Sequence, residues 1–264
     1  MVSTASMVMM VVSMLFAIAL PVGLAIYGKK KLGCSLRLFL LGCIVFFCFA
    51  VILEGLVHSL VFATTPGIQD NIWIFAIYGG FMAGLFEETG RLFGYKFFCK
   101  NRMSHDEDAL MYGFGHGGFE VFYLLVPGMI SNLVMANMIN SGTTSLLLNG
   151  QNEQGIQAVN EAIEALISTS PILYTAGMVE RISAVGIHIA LSVIVWFAVK
   201  NAKYYYYILA IGLHMLVDTF TVLIARVCNA AVVEIILLVI SAGLLYIAYL
   251  TWKKEHIDDK AETV

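Results

Sequence analysis

Glu87 and Glu88 with Arg91, His116 with Glu120, His188, and His214 with Asp218 are ionisable side chains set inside apolar stretches of membrane length. A charge in the hydrocarbon costs about 2.5–3.5 kcal/mol on insertion scales unless it is paired or faces a cavity, so intramembrane charges mark function by default. Two adjacent carboxylates beside an arginine let one be held ionised by Arg91 while the other serves as a general base. Three histidines with carboxylates form a nitrogen and oxygen donor set suited to zinc or a similar divalent ion. Either an ion or a Glu/His pair can activate water. Asp218 is placed to orient His214 or to act as a ligand itself. Glu120, four residues after His116, is expected to orient that histidine from behind, as carboxylates do for ligating imidazoles. A purely structural cluster of ion pairs is the competing reading of the same residues.

The elements that must position these groups are helices in a bilayer. The chain has 264 residues, 60% of them hydrophobic and only 12% charged, with mean hydropathy +0.86. A soluble domain carries roughly 25% charged residues. The expected class is therefore all-α, a single polytopic membrane bundle over residues 1–264 with no room for a soluble domain. Seven spans can be drawn, at Met7–Gly28, Leu36–Ala63, Ile72–Phe98, Ala109–Ile139, Ala176–Val199, Tyr204–Ala225 and Ala230–Trp252. Pro127 is expected to kink or end the fourth. The first apolar run lacks a basic leader and reads as a retained helix.

Lys29, Lys30, Lys31, Arg37, Lys96, Lys100, Arg102, Lys200, Lys203, Lys253, Lys254 and Lys260 all fall on one side of such a layout. Loops 64–71 and 140–175 contain no Lys or Arg. The positive-inside rule then puts the N-terminus outside and the C-terminus in the cytoplasm. Trp73, Trp196, Trp252 and Tyr204–Tyr207 fall at span ends, as interfacial aromatics do. In the long loop, Ile156, Val159, Ile163, Leu166 and Ile167 recur at helical spacing opposite Gln157, Asn160, Glu161 and Glu164, which predicts an amphipathic helix on the outer surface.

Depth unites the polar residues. At 1.5 Å per residue, Glu87, Glu88, His116, Glu120, His188, His214 and Asp218 all lie roughly 10–21 Å from the basic face, in one layer near the bilayer middle. Gly79, Gly80, Gly84, Gly90 and Gly94 flank the patch in span three, and Gly113, Gly115, Gly117 and Gly118 the patch in span four. Small residues let membrane helices approach closely, so these two spans are expected to touch at the site. Glu54, His58, Glu180, Arg181 and Glu234 form a second group nearer the outer face, expected to be a structural clamp centred on Arg181. His105 and His256 are expected to be solvated. The five cysteines, Cys34, Cys43, Cys48, Cys99 and Cys228, form no CxxC pair and read as small hydrophobes. No basic stripe suggests a nucleic-acid partner.

EETGR at Glu87–Arg91, GHGGFE at Gly115–Glu120, Glu180-Arg181 with His188, and HMLVD at His214–Asp218 occur in this order. Together they resemble the YhfC-type intramembrane metalloproteases, relatives of the CAAX-processing and bacteriocin-processing membrane proteases. The resemblance implies a glutamate-dependent endopeptidase of the cell membrane, multi-pass and of the bacterial plasma membrane type, acting on membrane-associated peptides or proteins. It implies catalytic roles for Glu87, Glu88, Arg91, His116, His214 and Asp218. A divalent metal such as zinc would draw ligands from His116, His188, His214 and Glu88, with Glu120, Glu180 and Arg181 behind them. Two other classes stay open. An ion-coupled transporter also uses buried Glu, His and Arg, though no internal repeat supports it, and the same superfamily contains scaffold relatives without proteolytic activity.

Overall fold

A computed structural model describes residues 1–99 and 103–256; Lys100, Arg102 and Lys260 of the basic loops lie outside them. Ser3 caps α1 (Thr4–Lys31) by accepting from the Ser6 amide. Next come α2 (Leu36–Phe46), a π-helical stretch at Phe47–Glu54, and α3 (Gly55–Thr64), which together form one apolar rod, Leu36–Thr64. The Asn71 side chain starts α4 (Ile72–Gly94) by accepting from the Trp73 and Ile74 amides, satisfying two of the orphan donors of a helix start. A π-helical turn, Tyr95–Cys99, extends α4. The remaining helices are α5 (Asp108–Ser141), α6 (Ser145–Leu148), α7 (Glu153–Ser168), α8 (Pro171–Lys200), α9 (Tyr205–Ile224) and α10 (Ala230–Glu255).

The protein is thus an all-α membrane bundle, with no strand among the described residues. Among the described residues, six helical segments are long and apolar enough to cross a membrane. The expected third span, α4, is absent from that set. It is 23 residues long, about 35 Å at helical rise, but Glu87, Glu88 and Arg91 lower its apolarity. Two boundary expectations are revised. Pro127 neither ends nor interrupts α5, which runs on to a left-handed cap at Gly142 (φ 73°), the conformation glycine adopts most easily. α8 begins five residues before Ala176, because Pro171 occupies its first turn, where a missing N–H costs nothing.

At the centre stands α8, with 72% of its most apolar window buried against 17–22% in the other five. It packs on α10 and α5; α4 packs on α9, and α5 also packs on α1 and α2. The glycines dictate these contacts differently from expectation. Gly80 and Gly84 of α4 seat the α9 backbone at Ile211 and Met215, while Gly90 and Gly94 face Phe49 and Val45. On α5, Gly113 and Gly117 meet α8, Gly115 meets α2 and Gly118 meets Pro21 of α1. α4 and α5 therefore meet through the side chains of the polar site rather than glycine to glycine.

A Cβ on Gly115 would overlap the carbonyl of Phe39, whereas one on Gly128 of the same helix meets nothing within 4 Å. Alanine gains roughly 1 kcal/mol of helix propensity over glycine at either position. Gly128→Ala is expected to be neutral or stabilising in detergent thermal melts. Gly115→Ala is expected to lose about 1–3 kcal/mol, since backbone rather than a flexible side chain must move. Equal melts for the two variants would refute close α2–α5 packing at this point.

Buried carboxylates tie the basic face together. Asp106 accepts from Trp196 Nε1 at 2.8 Å, Lys200 Nζ at 2.7 Å and His256 Nδ1 at 2.6 Å. Glu255 accepts from Asn201, Lys203 and Tyr206. One expectation fails here. Trp196 is 1% exposed and belongs to the core rather than the interface, whereas His256 is exposed as expected and also bonds Asp106 and stacks on Trp252. A buried carboxylate needs donors, and these residues supply them. The amphipathic helix of loop 140–175 forms as α7 and buries Leu166 with Val2, Met10, Ala136 and Tyr174.

Candidate functional site

Four helices deliver the polar residues to one point. α4 contributes Glu87, Glu88 and Arg91, with Glu88 and Arg91 fully buried. α5 contributes His116 (0% exposed), α8 His188 (4%) and α9 His214 (3%). The ring centroids of His116 and His188 lie 5.0 Å apart, and those of His188 and His214 5.6 Å. His188 thus stands between the other two. Phe46 meets His116 edge-on at 5.1 Å and Tyr112 stacks beside it. These rings exclude water on that side and fix the imidazole.

The two glutamates have different surroundings, as residues about 100° apart on a helix must. Glu88 forms an ion pair with Arg91 and accepts from His214 Nδ1 at 2.7 Å. Its side chain is completely buried. Glu87 accepts from His116 Nε2 at 2.8 Å, with Arg91 Nη2 at 3.8 Å and His188 Nδ1 at 3.7 Å. Its side chain keeps 10% exposure and lines a cavity of about 110 Å³ with His188, His214, Glu120, Arg181 and Asp218. That volume holds several waters. Thr221 of α9 and Leu237 of α10 also line it.

Hydrogen bonding assigns His188 one tautomer. Arg91 Nη2 donates to His188 Nδ1 at 2.6 Å, and His188 Nε2 pairs with Glu120. The ring therefore turns a lone pair inward and an N–H outward to a carboxylate, the arrangement that supports a metal-ligating histidine. Glu120 is in turn held by Arg181 Nη1 at 2.6 Å, and Arg181 also pairs with Glu180. His214 Nε2 faces Asp218 Oδ2 at 3.5 Å.

Glu87, His116 and His188 each offer a donor atom, all within 4.8 Å of one another. This N, N, O set fits zinc or a similar divalent ion in type. The Nε2 proton of His116, now shared with Glu87, is the one an ion would displace, and His116 Nδ1 has no partner. For His188 to ligate through Nδ1, Arg91 must release it.

Every expected site residue is drawn into this assembly, but some connections differ. Glu120 reaches His188 on α8 instead of His116 on its own helix, because Arg181 draws it across. Glu88 and His214 pair with each other outside the Glu87–His116–His188 group. The second polar group separates: Arg181 joins the site through Glu120 and Glu180, while His58 bonds Glu54 at 3.1 Å and Tyr78 at 2.8 Å. Tyr78 and Phe46 carry no recognisable spacing signal, since their partners lie on other helices, whereas Tyr112 stands four residues before His116 on the same helix.

Residues 16–237 match a family described as YhfC intramembrane metalloprotease. The chain is 39% identical over 253 residues, 93% of this chain and 96% of its relative, to a Bacillus subtilis (strain 168) protein described as "Uncharacterized membrane protein YhfC". No solved structure matches it.

Proposed function

Because the chain belongs to the YhfC intramembrane metalloprotease family, we propose that it hydrolyses peptide bonds of membrane-associated substrates, with Glu87 as the essential carboxylate. The observation that carries this reading is the cavity: Glu87, rather than Glu88, lines a water-sized polar space beside three imidazoles in an otherwise apolar bundle. Glu87 is the group positioned to take a proton from water as that water attacks the scissile carbonyl, and then to hand the proton to the leaving amine. His116 and His188, with Glu87, would hold a divalent ion. When bound, such an ion lowers the pKa of water and polarises a carbonyl.

His214, oriented by Glu88 on Nδ1, is a hydrogen-bond donor for the developing oxyanion through Nε2, which lies 3.5 Å from Asp218. Glu120 and Arg181 hold the tautomer of His188. Arg91 pairs with Glu88 and covers the His188 lone pair. The cavity is too small for a peptide, so substrate enters by parting α9 and α10 around Thr221 and Leu237. In the membrane orientation that the basic loops support, the site lies near mid-bilayer with the C-terminus in the cytoplasm.

The test compares new protein N-termini in membranes from cells producing the wild type or Glu87→Gln. Termini found only with the wild type, lost on chelation and restored by zinc, are expected. Identical termini with both well expressed would end the protease reading. A second reading, a scaffold without catalysis, is favoured by the Arg91 guanidinium resting on His188 Nδ1. It requires a partner complex that Glu87→Gln leaves intact.

A further inference from the structure

We propose that Cys34, His105 and Asp108 form a second divalent-metal site, of zinc-binding character, on the basic face of the bundle and distinct from the buried Glu/His centre. One donor atom from each of the three lies within 4.8 Å of the others. They come from two connections: Cys34 from the α1–α2 turn, His105 and Asp108 from the end of the α4–α5 connection and the first residue of α5. Asp108 is eight residues before His116, roughly 12 Å along the helix, so one ion cannot serve both places.

The chemistry of the three groups fits a cation. A thiolate, an imidazole and a carboxylate together are a borderline-soft donor set that favours zinc. Cys34 is 4% exposed, and its Sγ reaches the Leu32 carbonyl only at 3.8 Å. Burial, followed by the negative fields of Asp108 and Glu107, pushes its thiol up to about 12. The thiol interacts with the Asp108 carboxylate; a dication there would be stabilised by both carboxylates and would displace the thiol proton into solvent as the metal–sulfur bond forms.

His105 stands at 3.5 Å from Asp108 Oδ1 through Nδ1 and at 3.5 Å from Glu107 Oε2 through Nε2. Both distances exceed the 2.7–3.2 Å of a good N–H···O bond, so the ring is held only loosely against turning a nitrogen onto an ion. Glu107 or water supplies the fourth donor. A bound ion would fasten the α1–α2 turn to the start of α5, the helix that carries His116.

The test uses the full-length protein in detergent and Co²⁺ alone as probe. A thiolate-to-cobalt charge-transfer absorption is expected with the wild type and is displaced by Zn²⁺. It should vanish in Cys34→Ser and persist in Cys43→Ser and Glu87→Gln, because the buried centre has no thiolate donor. His105→Ala, which changes an exposed side chain, should raise the cobalt midpoint about tenfold, as even supporting groups around metals commonly do. Absence of the band from the wild type, its survival in Cys34→Ser, or its loss in Cys43→Ser would each overturn the proposal. Readout by absorption keeps the result independent of whether the protein proves to be a protease.

Discussion

Arg91→Met is expected to leave little folded protein. The guanidinium is 0% exposed, pairs with Glu88, lies 3.8 Å from Glu87 and donates to His188. Methionine is similar in length and apolar, so the loss is electrical rather than steric. Removing one partner of a buried ion pair typically costs about 3–5 kcal/mol, since the other charge stays buried without compensation. Here two carboxylates are stranded, against a total stability on the order of 5–15 kcal/mol for a domain. The measurement is the fraction of monodisperse protein after detergent extraction, with its melting temperature. Restoring balance separates charge from packing: Arg91→Met with Glu88→Gln should recover part of the loss, because the nearer carboxylate is neutral again. A double variant no better than the single would show that Arg91 acts by filling space.

The membrane class and most helices could be read directly from the sequence because hydropathy is a local property and the bilayer fixes the length of each span. Depth was legible for the same reason: a constant rise per residue carries Glu87, His116, His188 and His214 to one layer whatever their neighbours. Azimuth was not. Which helix Gly115 or Gly80 faces depends on packing between distant segments: α4 does touch α5 at the site, through Glu87 on His116 and Gly94 against Tyr112, but Gly80 and Gly84 seat α9 and Gly90 faces Val45 and Phe49 on the α2 rod. Partner choice failed likewise. Spacing of four residues pairs Glu120 with His116, but Arg181, sixty-one residues further along the chain, captures Glu120 and turns it to His188. Trp196 looked interfacial by position and is core, because Asp106 from another connection satisfies its N–H. The Cys34–His105–Asp108 group had no signature, its members being scattered over two connections and assembled only when α1, α2 and α5 pack.

Glu87→Gln and Glu88→Gln are expected to part company, although the residues are adjacent and chemically alike. Glu87 borders the cavity and stands beside His116 and His188. Glutamine there keeps shape and hydrogen bonding but cannot take a proton from water. General-base contributions are worth about 10²–10⁴-fold, so cleavage should fall by at least about a hundredfold with a nearly unchanged melt. Arg91 retains Glu88 as its ion-pair partner in that variant. Glu88→Gln removes the carboxylate that Arg91 and His214 share deep in the bundle. The consequence is a stability loss approaching the 3–5 kcal/mol of a broken buried pair, with activity falling through misplacement of His214. The diagnostic is therefore the ratio of activity lost to stability lost, measured on both purified variants with a substrate found by the terminus comparison. A stable but inactive Glu88→Gln alongside an active Glu87→Gln would exchange the two roles. It would also require the Glu88 side chain to leave Arg91 and turn into the cavity, a rotation that α4 permits only if His214 moves with it.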